Sequence, residues 1–390
     1  MTRIRTTIAA LLGAALALAA PAMAQEVRVQ YLKQAVPQPP VLSNLDPIPE
    51  NLGLQGAILG LEDNRTTGRF LGQDWILMTE TVPEDGDFLV AMRTALAQTD
   101  LLILDAPAAT LLAAADLPEA AQALILNAGS PETALRGAEC RANVLHTLPS
   151  RAMLADALMQ FLVTRRWDRL ALIEGEGPGD ADQAAALRAS ATKFGLRIRM
   201  EKTWSFDADM RRNASQEVPL FTQDLGEYDM LLVADEANDF ARYIPFNTWL
   251  PRPVAGAEGL RPVTWDRVME QWGAAQLQSR FLELAGRPML DRDYAAWAAI
   301  RAIGEAVTRT KATDAPSLRA YMLGPDFELA GFKGRPMTFR NWNGQMRQPI
   351  PLVDRGALVA QAPLEGFLHP RSELDTLGLD QPESGCEAFE

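Results

Sequence analysis

The chain alternates short apolar runs with longer segments of helical periodicity. Leu101 to Leu104 and Ala123 to Leu126 are almost wholly apolar, which is typical of parallel strands covered on both faces. From Leu54 to Gly68, apolar residues instead recur at the three- and four-residue spacing of a helix. This alternation predicts an α/β fold in which helices cover parallel sheets.

The same rhythm begins again after Ser150, and this predicts a second lobe. Ser150 is a good helix cap, and the segment that follows carries its apolar residues on one face. Two long helices are predicted further along the chain, one from Thr264 to Gly286 and one from Asp291 to Thr310. A hairpin of Pro349–Val353 and Ala357–Gln361 is predicted to end the pattern.

The first residues have the features of a secretory signal peptide. Arg3 and Arg5 precede an apolar run from Ile8 to Ala20, and Ala24 ends a cleavage site of small residues. The apolar run is short for a membrane span. We therefore expect cleavage after Ala24, export to the periplasm and a soluble mature chain of 366 residues (390 less 24).

Length and composition favour two globular domains of ordinary size. A mature chain of this length exceeds the usual size of one hydrophobic core, and 48% of the residues are hydrophobic, which argues against disorder. The formal charge of −13 argues against nucleic acid and anionic lipid as partners. The charge by itself does not identify a ligand.

The two cysteines, Cys140 and Cys386, both lie in the part of the chain that we expect to be exported. An oxidising periplasm permits them to pair, and the chain has no C-x-x-C motif of a metal or redox pair. We therefore predict a disulfide that fastens the C-terminal tail near the middle of the chain. Two free buried thiols are the alternative.

Four segments carry a family resemblance through their order and spacing. Gln55–Asp63 looks like the first helix, and Phe70–Trp75 like the turn into the second strand, of the type I periplasmic binding proteins, the superfamily of the leucine/isoleucine/valine receptor. His146–Ser150 stands where that family has a Phe-Arg-Thr-x-Pro-Ser stretch, and Tyr294–Ile300 looks like its Tyr-Asp-Ala helix. The resemblance implies two Rossmann-like lobes with parallel sheets joined by a multi-strand hinge. It also implies a monomer that captures a ligand between its lobes for the inner-membrane permease of an ABC transporter.

The C-terminal tail resembles a narrower group. Phe367–Asp380, followed by Cys386, looks like the ending of the receptors encoded with PQQ-dependent alcohol dehydrogenase systems. This implies an importer linked to periplasmic quinoprotein alcohol oxidation. The chain departs from the amino-acid receptors at Gln34–Pro40, where they carry a Gly-rich turn, and at Asn127–Ser130, where they bind the α-carboxylate. An amino-acid ligand is therefore not carried over.

Pattern and resemblance together divide the chain into five segments. These are a signal peptide over 1–24, the first part of lobe 1 over 25–143, the first part of lobe 2 over 144–252, a return to lobe 1 over 253–335, and the completion of lobe 2 with the tail over 336–390.

Polar and acidic residues follow the strands of both predicted lobes. In open parallel sheets the carboxyl ends of the strands face the crevice in which ligands bind. The binding residues predicted on this ground are Asp105, Asn127 and Ser130 in lobe 1, and Glu174, Asp235 and Glu236 in lobe 2. Converging carboxylates repel one another unless a cation lies between them. Four of these residues are therefore predicted to hold a hard cation such as a lanthanide or calcium ion, namely Asp105, Glu174, Asp235 and Glu236.

Other interpretations of these residues stay open. In one alternative, the carboxylates cap helices or face water instead of binding a cation. In another, the ligand is PQQ, a multiply charged anion, or another small organic solute. Tyr243 and Trp249 follow a strand end in a Pro-rich loop and are predicted to stack on a planar ligand.

The sequence gives an enzyme little support. His146 and His369 are the two histidines of the chain and neither stands in a metal-ligand spacing, and there is no G-x-S-x-G motif. We therefore expect a binding protein that needs no cofactor. The alternative from a different class is a sensor or docking partner of the dehydrogenase system that transports nothing.

Overall fold

The computed structural model describes residues 24–37, 47–205 and 210–389, without the side chains of 210–212. Residues 1–23 of the predicted signal peptide lie outside the described residues. Within those residues, no helix combines the length and the apolar character that crossing a membrane requires.

Lobe 1 is built on a five-stranded parallel sheet in the spatial order β2-β1-β3-β4-β5. Its strands are β1 (Gln25–Gln34), β2 (Gln73–Val82), β3 (Leu101–Asp105), β4 (Leu124–Asn127) and β5 (Val144–His146). The helices between them are α1 (Leu54–Leu71), α2 (Phe88–Leu96) and α3 (Ala108–Ala115). Every residue of β3 and β4 is buried, as predicted for strands covered on both faces.

Lobe 2 repeats this arrangement with four parallel strands in the order β7-β6-β8-β9. The strands are β6 (Arg169–Glu174), β7 (Arg197–Thr203), β8 (Met230–Ala234) and β9 (Val254–Gly256). The helices are α4 (Arg151–Arg165), α5 (Pro178–Lys193) and α6 (Met210–Thr222). The Ser150 hydroxyl accepts a hydrogen bond from the Met153 amide at 3.2 Å, which confirms the predicted helix cap.

The rest of the chain completes both lobes. Lobe 1 gains α7 (Ala274–Ala285), α8 (Asp291–Thr310), α9 (Ala315–Met322), β11 (Leu329–Ala330), β12 (Pro336–Phe339) and β13 (Met346–Arg347), whose buried residues join its core. Lobe 2 gains the antiparallel strands β10 (Arg261–Pro262), β14 (Ile350–Asp354) and β15 (Ala357–Ala362). A short helix, α10 (Gln381–Ser384), lies in the tail. The pairing of β14 with β15 confirms the predicted hairpin.

The first of the two long helices was predicted too long. It begins at Ala274 instead of Thr264, whereas the second has the predicted bounds. The backbone amides of Thr264 and Trp265 bind the Asp291 carboxylate at 2.9 and 2.8 Å, so these residues form a connection between the lobes instead of a helical turn. Trp272, at φ 55°, also interrupts any helix before α7.

Three chain segments cross between the lobes within the described residues, and buried polar side chains join them. The crossings follow β5, precede α7 and follow β13. Gln348 in the third crossing donates to the carbonyl of Thr147 in the first at 2.8 Å, and Lys333 donates to Gln348 at 2.7 Å. The predicted multi-strand hinge is therefore a compact hydrogen-bonded unit.

A disulfide between Cys140 and Cys386 fastens the tail to lobe 1, as predicted. Their Cα atoms lie 5.8 Å apart, within the ordinary range for a disulfide. The tail is also held by Asp375, whose carboxylate binds the buried guanidinium of Arg340 at 2.9 Å and that of Arg347 at 2.7 Å.

Candidate functional site

A cleft of about 840 Å³ lies between the lobes, where the carboxyl ends of the two sheets face each other. Lobe 1 contributes the ends of β3 and β4, and lobe 2 contributes the loops after β6, β7 and β8. This is the position at which open parallel sheets bind ligands. Of the eight predicted binding residues, the cleft wall includes four, namely Asp105, Ser130, Asp235 and Glu236.

Asp105 is the central acid of the lobe 1 wall. Its carboxylate accepts a hydrogen bond from the Tyr31 hydroxyl at 3.0 Å and lies 3.2 Å from the Arg292 guanidinium. Burial, reinforced by this carboxylate, raises the pKa of Tyr31 well above its ordinary value, so Tyr31 remains a neutral donor. Arg292 comes from the first turn of α8, and its side chain is 40% exposed in the cleft.

The loop after β4 is held by its own side chains. Asn127 accepts hydrogen bonds from the amides of Gly129 and Ser130 and donates to the Ser130 carbonyl, so its polar atoms are used inside lobe 1. The Ser130 hydroxyl donates to the Ala106 carbonyl at 2.6 Å. Buried Arg136 donates to the carbonyls of Ser130 and Glu132 at 2.8 and 3.0 Å. Asn127 therefore shapes the cleft wall without lining it.

Two acids lie at the amino end of α5 in the lobe 2 wall. Asp180 accepts from the Gly177 amide at 3.0 Å and from the Glu236 amide at 2.7 Å, which joins the loops after β6 and β8. Burial raises the pKa of Asp180, and the nearby carboxylates of Asp235 and Glu236 act in the same direction. The Glu236 carboxylate lies directly against Gly179, where a Cβ would overlap it. Glycine at this position therefore allows the acid to stand at the helix end.

An aromatic surface adjoins these acids. Trp204 stacks on Phe240 with the ring centroids 5.5 Å apart and an interplanar angle of 10°, and both residues line the cleft. The Trp204 indole N–H is buried and has no hydrogen-bond partner among the described residues. Asp235 accepts from the amides of Phe240 and Ala241, each at 2.8 Å, and so fixes the turn that carries Phe240.

Arg151 links the two walls at the back of the cleft. Its guanidinium forms an ion pair with Glu236 of lobe 2 and lies 3.9 Å from the Glu132 carboxylate of lobe 1. The Arg151 side chain is 9% exposed. Within the described part of the chain, its Nε and one Glu132 oxygen are buried without a hydrogen-bond partner.

The lining of the cleft is strongly acidic. In the described residues it contains one arginine, Arg292, and seven acids, which are Asp105, Glu132, Glu176, Asp180, Asp235, Glu236 and Asp239. No group of three or more His, Cys, Asp or Glu side chains in the described residues is placed to hold a metal ion. The acids are therefore spread over both walls instead of converging on one point.

Three predicted residues lie away from the cleft. Glu174 binds Arg188 at 2.8 Å on the surface of lobe 2. Tyr243 packs against an apolar cluster of the same lobe, and Trp249 is 59% exposed on its outer surface. None of these three residues lines the cleft. The aromatic residues of the cleft wall are Trp204 and Phe240, whereas Tyr243 and Trp249 were predicted for that role.

No protein-family model and no curated protein sequence matches the chain. Solved structures do match it over nearly its whole length. A branched chain amino acid ABC transporter periplasmic ligand-binding protein from Burkholderia xenovorans is 16% identical with a TM-score of 0.73, covering 93% of this chain and 100% of its own. A periplasmic binding protein from Burkholderia mallei is 13% identical with a TM-score of 0.68, covering 94% and 100%.

A solute binding protein of an ABC transporter from R. palustris, solved with benzoate, is 13% identical with a TM-score of 0.64 and covers 93% of this chain and 99% of its own. At these identities the likeness establishes the fold. The chain has the fold of the type I periplasmic binding proteins, as its sequence predicted.

Proposed function

We propose that the protein is the periplasmic substrate-binding protein of an ABC importer and that its cargo is a positively charged solute held between the lobes. The acidic lining of the cleft carries this proposal, since seven acids face one arginine there. The fold supports the importer part, because the similar solved structures include a periplasmic ligand-binding protein and a solute binding protein of ABC transporters.

Lobe closure would remove these acids from water, and that step favours a cation. A buried carboxylate is costly unless a positive charge or hydrogen bonds compensate it. Asp105 and Glu236 already have arginine partners, whereas Glu176 and Asp239 are exposed in the cleft and have no ion pair among the described residues. The latter two acids are free to bind the charge of an incoming cation.

The size and the aromatic wall of the cleft favour an organic cation. The volume of about 840 Å³ lies within the range of small-molecule sites, roughly 300–1,000 Å³. The rings of Trp204 and Phe240, which are largely buried, form an aromatic part of the wall beside the acids. A cation attracted to an aromatic ring gains further stabilisation. A hard metal ion would require the two walls to approach, because the described acids do not converge.

The proposal can be tested by calorimetric titration of the mature protein with spermidine, choline, lanthanum, calcium, leucine and PQQ. We expect saturable binding of an organic cation that weakens as salt is added, because screening reduces attraction between exposed charges. The double substitution Glu176→Gln and Asp239→Asn should weaken binding about tenfold or more. These sites are chosen because replacing either acid leaves no buried arginine unpaired. Glu80→Gln, which removes an exposed acid on β2, is the matched control and should change nothing.

The other titrations distinguish the remaining hypotheses. Saturable binding of lanthanum or calcium, lost in Asp105→Asn, would identify a metal ion as the cargo. Binding of PQQ or leucine alone would contradict a cationic cargo. The link to PQQ-dependent alcohol oxidation rests on the resemblance of the C-terminal tail and gains support only if PQQ or a lanthanide ion binds.

Lobe closure provides a second readout. An importer receptor closes around its cargo by a hinge motion, so small-angle scattering should show a smaller radius of gyration with the cation bound. A protein that shows no contraction with any ligand, yet co-purifies with a dehydrogenase, would instead be a docking partner.

A further inference from the structure

Lobe 2 has a second cavity on the side opposite to the cleft. It has a volume of about 560 Å³ and reaches Met230 and Val254, the first residues of β8 and β9. Asp235 and the other cleft residues of lobe 2 follow the opposite ends of these strands. Since β8 has five residues, the length of a strand, roughly 15 Å, separates the two sites.

The walls of this cavity are apolar and are held by rigid backbone. Phe161, Trp167 and Leu260 form one side, and the rings of Phe161 and Trp167 pack edge to face. Pro251 and Pro253 stand in the loop that leads into β9. Because proline fixes the backbone angle φ, this loop loses little conformational freedom when a ligand binds.

Phe246 and Arg355 form the rim of the cavity. The Phe246 side chain is 79% exposed, and the Arg355 guanidinium lies over its ring, 4.1 Å from the centroid. Both residues have positive φ, 70° and 44°, a conformation that residues other than glycine rarely adopt. Two separate loops thus bring an aromatic ring and a cation together at the opening.

The polar groups of the cavity define what it can bind. Arg355 has no carboxylate partner among the described residues, whereas Arg252, which also lines the cavity, is paired with Glu227 at 3.3 Å. Asp354 also lines the cavity, and its Oδ1 is buried without a hydrogen-bond partner in the described part of the chain. An anion therefore has a partner at the rim, and a hydroxyl or N–H donor has an acceptor inside.

We propose that this cavity is a second ligand site that takes a small aromatic carboxylate carrying a hydrogen-bond donor. The aromatic body fills the apolar cavity, the carboxylate binds Arg355, and the donor binds Asp354. All residues of the site belong to lobe 2, so a bound ligand would remain in place whether the lobes are open or closed. The site is independent of the cargo proposed for the cleft, and it prefers the opposite charge.

Calorimetric titration with indole-3-acetate tests this site, because the probe combines an aromatic body, a carboxylate and an N–H donor. We expect one saturable site. Arg355→Gln and Phe246→Ala should each weaken binding about tenfold, because they remove the charge partner and the ring that supports it. Arg69→Gln, which removes an exposed arginine at the end of α1, is the matched control and should bind the probe normally.

Three further measurements make the result decisive. Indole-3-ethanol, the neutral analogue, should bind more weakly than the acid, and equal binding would overturn the role of Arg355. The double cleft variant Glu176→Gln and Asp239→Asn should leave indole-3-acetate binding unchanged, and its loss there would assign the probe to the cleft. The proposal is overturned if indole-3-acetate shows no saturable binding, or if both rim variants bind it as the wild type does. Since both rim residues are exposed, circular dichroism should show folded variants.

Discussion

Lys333 provides a quantitative test of the hinge structure. Its ammonium group is fully buried, 4.4 Å from the centroid of the Tyr294 ring, and donates to Gln348 at 2.7 Å and to the Pro349 carbonyl at 3.3 Å. Burial lowers its pKa from 10.5 to about 7, and the charge of Asp291 offsets only part of that effect. The folded protein therefore releases a proton that the unfolded chain retains above neutral pH.

The sign and size of the effect follow from linkage. Stability rises with pH wherever the unfolded state binds more protons. For Lys333 this window runs from about pH 7 to 10.5, so its destabilising effect is complete below pH 7 and disappears as pH approaches 10.5. The full shift in the pKa of Lys333 corresponds to about 5 kcal/mol in the free energy of unfolding, of which about 2–3 kcal/mol is regained between pH 6 and pH 9.

Replacing Lys333 by methionine removes the titrating group and keeps the length of the side chain. The free energy of unfolding of the variant should therefore rise less between pH 6 and pH 9 than that of the wild type, by about 2–3 kcal/mol. Loss of the hydrogen bond to Gln348 costs about 1 kcal/mol at both pH values and cancels in this comparison.

Chemical denaturation of both proteins at the two pH values measures this difference directly. Lys311→Met, at an exposed lysine, is the control and should keep the pH dependence of the wild type. If Lys333→Met also keeps the wild-type dependence, then Lys333 is charged in the folded protein at neutral pH and the reasoning from its burial is wrong.

Three further substitutions test the packing of the tail and of lobe 1. Cys386→Ser opens a disulfide that joins residues 246 positions apart and should lower the free energy of unfolding in chemical denaturation by about 4–5 kcal/mol. An unchanged free energy of unfolding in the variant, together with a wild-type melting temperature that reductant does not lower, would contradict this prediction. Asp375→Ala leaves the Arg340 guanidinium buried without its carboxylate and should cost about 3–5 kcal/mol in chemical denaturation, where a cost below 1 kcal/mol would contradict the buried pair. Gly56→Ala places a Cβ against the Asp293 carbonyl where α1 meets α8, and a cost of about 1–3 kcal/mol should appear as a lower melting temperature, whereas an unchanged value would exclude so close an approach.

The candidate site was predicted in part, and the missed residues show where sequence reasoning stops. Trp204 was not predicted because β7 is largely exposed, so no clear apolar pattern marks the strand that ends at Thr203, directly before it. Arg292 could not be assigned to the cleft at all, because its contact with Asp105 joins residues 187 positions apart. Glu174 was selected for its place at a strand end, but packing of α5 brings Arg188 to it.

The sequence by itself determined the two lobes, the parallel sheets and most strand positions, because these follow from local hydrophobic periodicity that each segment carries on its own. It also indicated the disulfide, since two cysteines in a chain that is expected to be exported leave few alternatives. Only the tertiary structure decided which acids line the cleft, which are neutralised by arginines and which side chains form the aromatic wall. The physical reason is that charge pairing and cavity shape depend on contacts between residues far apart in the chain. No local pattern records those contacts.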